Sequence, residues 1–253
     1  MVLRAGLVLA VLALAAGAPR AVAGDAAGLE FLGFSRDASH LAFEQYGIRD
    51  GSGFPYSEVF LVDVARNRFR ASAVLGGPAF EGRSLESVRQ EARRRMAAEF
   101  ARVGLTPGRS PGFLKAARPV GDVVEEPATP ADTAPAGPGR PSGPAPSSLG
   151  FEAGGRPYTL LLRELPFGPS QDCPTPGFVR GLELQLHAGL PPSRLLAVLQ
   201  KDTRLPASRF CAFTYRLAQV RVLGKSLAVF VAVYRTGFEG PDRRWMVVTG
   251  RLP

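Results

Sequence analysis

Two stretches of the chain run through the same order of elements, and they constrain the fold more than anything else in it. Residues 34–64, FSRDASHLAFEQYGIRDGSGFPYSEVFLVDV, read as strand, tight turn, strand, long loop, strand. Residues 223–250, LGKSLAVFVAVYRTGFEGPDRRWMVVTG, repeat that order. Ser39-His40-Leu41-Ala42-Phe43 corresponds to Ser226-Leu227-Ala228-Val229-Phe230, and a tyrosine ends each middle strand, Tyr46 and Tyr234. The loops, DGSGFPYSE at 50–58 and GFEGPDRR at 237–244, are both Gly-rich and acidic, and each leads into an apolar run. Short apolar runs bounded by Gly, Pro and Asp are the pattern of antiparallel strands. A weaker third match surrounds Gly154-Gly155 in residues 151–165.

Further strands follow from the same reasoning. Residues 29–36 and 39–46 flank the turn Arg36-Asp37-Ala38, where an aspartate can bond the backbone two residues on. Residues 57–64 contain Val59-Phe60-Leu61-Val62, a continuous run that predicts cover on both faces. Residues 69–74, 156–163, 213–222, 226–234 and 245–249 also read as strands. Residues 181–187 alternate cleanly, placing Leu182, Leu184 and Leu186 inward and His187 towards solvent. Residues 193–200 fit a short helix or the returning strand, and the turn before them favours the strand. One long helix is predicted over Ser84–Val103, with Ser84 as N-cap, Glu86 in the first turn and Gly104 as the stop. Its apolar stripe is Leu85, Val88, Ala92, Met96, Phe100 and Val103, which packs on a sheet; Arg89 and the Arg93-Arg94-Arg95 cluster are expected on a solvated face.

The beginning of the chain reads as an export signal. Arg4 precedes an unbroken small-apolar run from Ala5 to Ala16, and Ala21-Val22-Ala23 fits a signal-peptidase site. The run is shorter than the ~20 residues a membrane span needs. Residues 1–23 are therefore expected to be a signal peptide, with no transmembrane segment after cleavage and a secreted or periplasmic mature protein. In an oxidising compartment the two cysteines, Cys173 and Cys211, are expected to form one disulfide, which typically contributes ~2–4 kcal/mol. Loss of Arg4 and Arg20 with the leader takes the formal charge from +9 to +7. The excess is nearly all arginine in an Ala-, Gly- and Pro-rich chain, which is the composition of a GC-rich bacterial coding sequence as much as of a basic surface. An exported protein has little occasion to meet nucleic acid, and attraction to an anionic envelope surface is the more sensible consequence. Residues 120–149 are Pro, Ala, Gly and Ser without periodicity and read as a disordered linker or insertion. It separates an N-terminal β part with the helix, 24–119, from a C-terminal β part, 150–253, which together are expected to make one domain.

Phe34-Ser35-Arg36-Asp37 followed by Leu41-Ala42-Phe43 resembles the WD40-like repeat of TolB-type propellers, with Ala38 in place of the turn glycine. Two or three such units fall short of the four to eight blades a propeller has. The resemblance implies propeller-blade-like hairpins within a compact domain. Longer phrases, LAFEQYGIRDGSGFPYSEVFLVDV at 41–64, KDTRLPASRFCAFTYRL at 201–217 and GFEGPDRRWMVV at 237–248, resemble a bacterial family of predicted secreted proteins of unknown function. That resemblance implies export and a single domain family, and no activity to carry over.

The motifs of common chemistries do not match. Gly51-Ser52-Gly53 lacks the spacing of a nucleophile elbow, no phosphate-cradling loop precedes a Lys-Ser/Thr pair, and the only histidines, His40 and His187, are too few and too distant for zinc. Asp50, Ser52 and Glu58 offer oxygens for calcium but depart from the acid-rich calcium loop, so no metal and no cofactor are expected. The expected contact surface joins loop 50–58 to loop 237–244, with Tyr46, Asp50, Phe54, Tyr56 and Glu58 as binding residues and the three aromatics exposed. The alternative is a hydrolase of envelope glycan or peptide, using Glu44, Asp50, Glu58, Glu239 or Asp242 as paired carboxylates. The fold class that results is mainly β, a compact antiparallel β domain with one amphipathic helix, with α+β as the alternative. The function that results is a non-enzymatic binding or interaction module whose partner is an envelope protein or glycan.

Overall fold

The computed structural model describes residues 24–109, 112–121, 146–167, 179–189, 194–209, 211–238 and 240–253. The expected signal peptide, most of the expected linker, Cys173 and Glu239 lie outside the described residues. The described part is mainly β. Strands β1 (Gly28–Phe34), β2 (His40–Ile48), β3 (Pro55–Asp63) and β4 (Arg68–Leu75) form an antiparallel meander in sequence order. Helix α1 (Leu85–Arg102) and strand β5 (Phe113–Ala117) follow. A second meander joins β6 (Ser147–Ala153), β7 (Arg156–Pro166), β8 (Arg180–Ala188) and β9 (Arg194–Lys201). Strands β10 (Ala212–Leu223), β11 (Ser226–Thr236) and β12 (Pro241–Arg251) make a third sheet in the order β12-β11-β10-β5.

The three sheets and the helix stack in four layers, and the sequence pattern of each strand follows its place in the stack. Val59 and Leu61 of β3 pack with Val88, Ala92, Met96 and Phe100 of the helix. Phe60 and Val62, on the opposite face, pack with Ala228 and Phe230 of β11. The continuous run Val59–Val62 is thus covered on both sides. In β11 the division is complete: Leu227, Val229, Val231 and Val233 face the second meander, while Ala228 and Phe230 face the first. That strand has no solvent face, and its sequence has no alternation to show. The second meander has an outer surface, so β8 buries Leu182, Leu184 and Leu186 while His187 is half-buried, with Nε2 2.9 Å from Gln185 Oε1.

Local signals explain the turns and the helix ends. Asp37 Oδ1 accepts from the Ser39 N–H at 3.0 Å and from the Ser35 hydroxyl at 2.7 Å, while Ala38 takes a left-handed φ of 58°. The side-chain bonds hold a turn that usually needs glycine, and they hold the Asp37 carboxyl down at about 2. Ser84 accepts from the Ser87 N–H, and Gly104, at φ 64°, lets Leu105 N–H reach Phe100 O at 2.9 Å.

Several expectations are corrected. Arg89 and Arg93 are not on a solvated face; they reach back to Glu30 and to fully buried Glu44. Only Arg94 and Arg95 of that cluster lie outward, paired with Glu91. Strand β6 begins at Ser147, inside the stretch read as linker, because Leu149 is buried in the core between the second meander and the third sheet. Strand β5, unread in the sequence, pairs with β10 through Ala117↔Gln219 to Phe113↔Val222. The propeller resemblance is not supported: the sheets of the described residues are stacked face to face, with a helix as the outermost layer.

Candidate functional site

Loops 49–54 and 237–240 meet at one end of the stack. Hairpins β2–β3 and β11–β12 both open there, at Ile48↔Pro55 and Thr236↔Pro241. The first loop closes on itself: Arg49 N–H donates to Phe54 O and Gly53 N–H to Arg49 O, both at 2.9 Å. Gly51 and Gly53 take the left-handed φ values of 75° and 68° that this turn needs. A Cβ on Gly51 would lie 3.1 Å from the Phe238 ring, so Phe238 rests over this glycine from the other loop. Phe238 is 83% exposed, and Ile48 beside the loop is 56% exposed.

Beneath the loops is a buried charge network centred on Asp25. Its carboxylate accepts from the Tyr56 hydroxyl at 2.8 Å and from Arg244, and Arg49 lies 3.8 Å away. The segment 25–27 is laced to β12 by Arg243 N–H to Asp25 O and Ala27 N–H to Arg243 O, both 3.0 Å, and Trp245 Nε1–H donates to Ala27 O at 2.7 Å. Asp242 accepts from the Asp25 N–H at 3.2 Å and lies 3.5 Å from Arg235 and 3.3 Å from Arg244. Burial, with the charge of Arg244 next to it, lowers Arg235 from its ordinary range, and Asp242 opposes that shift.

The expected binding residues divide. Asp50, Phe54 and Glu58 lie at this end with Asp242. Phe54 and Asp50 are half-buried; Asp50 Oδ1 accepts from Gly51 N–H at 2.9 Å, and its Oδ2 is buried without a partner among the described residues. Glu58 accepts from Gln45 Nε2 at 2.7 Å and lies 3.5 Å from Arg49. Tyr56 is not an exposed aromatic. It is fully buried, with Arg49 4.4 Å and Arg244 5.1 Å from its ring centre, and Gly47 across the ladder leaves room for the ring. Burial, reinforced by Asp25, pushes its hydroxyl above the ordinary tyrosine range. Tyr46 is half-buried under Arg89, whose guanidinium sits 3.6 Å from the ring centre. Glu44 faces the helix, bonded by Ser57 at 2.9 Å and by Arg89 and Arg93.

Three of the expected carboxylates are held rather than free, while Asp50 keeps one oxygen without a partner among the described residues. Glu44, Glu58 and Asp242 each have cationic or hydrogen-bonded partners, as a structural network would. Ser39 Oγ lies 2.8 Å from His40 Nδ1, but its one proton is shared between that nitrogen and Asp37 Oδ1, also at 2.8 Å, so no serine is activated there. Among the described residues no three His, Cys, Asp or Glu side chains are placed to hold a metal. No cysteine of the described residues is a free thiol; Cys173, the expected partner of Cys211, lies outside them. Asp25 and Arg244 went unread as site residues, because their separation along the chain hides their contact. The one available signal was the pair Arg243-Arg244 in a strand whose partner positions are apolar.

The fold and this end of it define a β-sheet domain built around a fixed charge network. The family model described as "Predicted secreted protein (DUF2259)" matches residues 42–251, and the chain belongs to that family. The protein is accordingly a secreted one. No curated protein and no solved structure matches it. No helix of the described residues is long and apolar enough to cross a membrane.

Proposed function

We propose that the protein is a non-enzymatic binding module of the bacterial cell envelope, and that its contact surface is the end formed by loops 50–58 and 237–244. The observation that carries this reading is Phe238, an aromatic ring exposed at the tip of one loop and seated on Gly51 of the other. Ile48 and half-buried Phe54 extend an apolar face beside it. The buried Asp25–Tyr56–Arg244 network fixes both loops from below, so little ordering is needed on contact. An exposed ring on a rigid base suits the face of a sugar or the side chain of an envelope protein.

The test uses cross-linking in intact source cells, followed by affinity purification of the mature protein and mass spectrometry. Phe238→Ser and Ile48→Ser should each deplete a dominant partner while leaving thermal stability unchanged, since both side chains are largely exposed. Tyr56→Ala is unsuited to this purpose because it empties a buried site. Capture unchanged by Phe238→Ser would reject the surface. The hydrolase alternative has less support because Glu44, Glu58 and Asp242 are engaged; release of muropeptides that disappears in Glu58→Gln and Asp242→Asn would restore it.

A further inference from the structure

A second site lies at the opposite end of β3 from the paired loops. There the β3–β4 turn, the middle of β12 and the segment after β9 enclose two adjoining cavities of about 720 and 290 Å³. Both are lined by Arg68, Gln200, Pro206 and Arg209. The larger falls in the range of small-molecule sites, roughly 300–1,000 Å³, and the smaller lies just below it.

The base of the cleft is built and saturated. Arg209, only 7% exposed, holds Asp202 through both terminal nitrogens, one of them at 2.6 Å from Oδ1. Asp202 also accepts from Leu182 N–H at 2.7 Å and from Gln200 Nε2 at 2.8 Å. Gln200 in turn accepts from Asn67 Nδ2 at 2.9 Å, tying the base to the β3–β4 turn. The one carboxylate among the described lining residues is therefore fully occupied.

The rim is different. Arg68 from β4 and Arg204 from the segment after β9 are exposed, both line the larger cavity, and neither side chain forms a hydrogen bond or ion pair among the described residues. Lys201 adds a third cation, paired with Glu183 outside the cleft at 2.8 Å. The smaller cavity supplies an apolar wall of Phe69 and Met246. Phe69 is the outermost ring of a ladder: Phe230 meets Phe43 at 5.5 Å, Phe43 stacks on Phe60 at 5.1 Å, and Phe60 stacks on Phe69 at 4.6 Å. Phe69 is nevertheless 55% exposed, so one face is held rigidly from within and the ring remains open to the cleft.

Free guanidinium forks beside an exposed, backed aromatic are a recognition pair for an oxyanion carried on a flat apolar body. We propose that this cleft binds a small ligand carrying a carboxylate or phosphate on an aromatic or similarly flat apolar group. Arg68 and Arg204 take the anion, and Phe69 with Met246 takes the ring. The site is independent of the loop surface proposed above.

Isothermal titration of the mature full chain at low salt tests this with phenyl phosphate, benzoate, inorganic phosphate and benzyl alcohol. At least one aromatic anion should bind, roughly tenfold tighter than inorganic phosphate and than the neutral alcohol, and weaken as salt is raised. The ratio of phenyl phosphate to benzoate tells whether phosphate or carboxylate is preferred. Arg68→Glu with Arg204→Glu should cost about tenfold or more in affinity with an unchanged thermal midpoint, because both side chains are exposed. Phe69→Ala should weaken the aromatic anions and spare inorganic phosphate. No binding of either aromatic anion at millimolar concentration would overturn the proposal, as would undiminished binding by the doubly charge-reversed chain. Equal affinity for inorganic and phenyl phosphate would overturn the role of Phe69.

Discussion

Hairpins β2–β3 and β11–β12 have nearly the same sequence plan and open at the same end, yet they are stabilised in different ways. Strand β11 lies between two sheets and is apolar along almost its whole buried length. Strand β2 lies between a sheet and a helix, and carries Glu44 at a fully buried position. The helix supplies Arg89 and Arg93 one turn apart, and these two neutralise Glu44, whereas β11 meets apolar side chains of the sheets on either side. The buried charge of β2 thus depends on cations that the covering helix brings to it.

The largest effect that sharpens this contrast is expected in the apolar hairpin. Phe230→Ala removes the ring on which Phe31 and Phe43 converge and should destabilise by about 3–5 kcal/mol, read by chemical denaturation. Glu44→Ala should come next, at about 3 kcal/mol, because two arginines lose their main partner. Replacing Glu44, Arg89 and Arg93 together by leucines should recover most of that loss; if it does not, the network does more than balance charge. Tyr56→Phe removes one donor from Asp25 while Arg244 remains, and should cost about 1–2 kcal/mol. The smallest effect concerns the turn before β2. Asp37 has a folded-state value of about 2 against an ordinary 3.8, so the stability it contributes is present above about pH 4 and is lost as pH falls towards 2. The difference in midpoint between wild type and Asp37→Asn should therefore close over that interval, and a constant difference would exclude the ionised side chain as its cause.

Strands and helix were legible in the sequence because their signals are local. Ser84 and Gly104 bracket the helix by capping chemistry, and β8 alternates because one of its faces is open. Strand β5 was not legible: FLKAA is short and sits at a sheet edge, leaving Phe113 and Leu114 62% and 50% exposed. Layer order was not legible either. The run Val59–Val62 announces two covered faces but cannot say that a helix covers one and a sheet the other. At the candidate site, the meeting of the two loops followed from their equivalent places in two similar hairpins. The burial of Tyr56 did not, since it depends on Gly47 across the ladder and on Asp25 and Arg244 from distant parts of the chain.

The place of β11 and β12 has a consequence for when this chain can fold. They follow both meanders along the chain, and they supply the surface on which the other layers rest, as well as the strand that holds segment 25–27. A chain that has not yet presented them has two meanders with open apolar faces and no middle on which to close. The two meanders therefore close into one stack only when β11 and β12 lie between them. Completion of the fold thus waits on its centre, whose contacts with the first meander are the most distant along the chain.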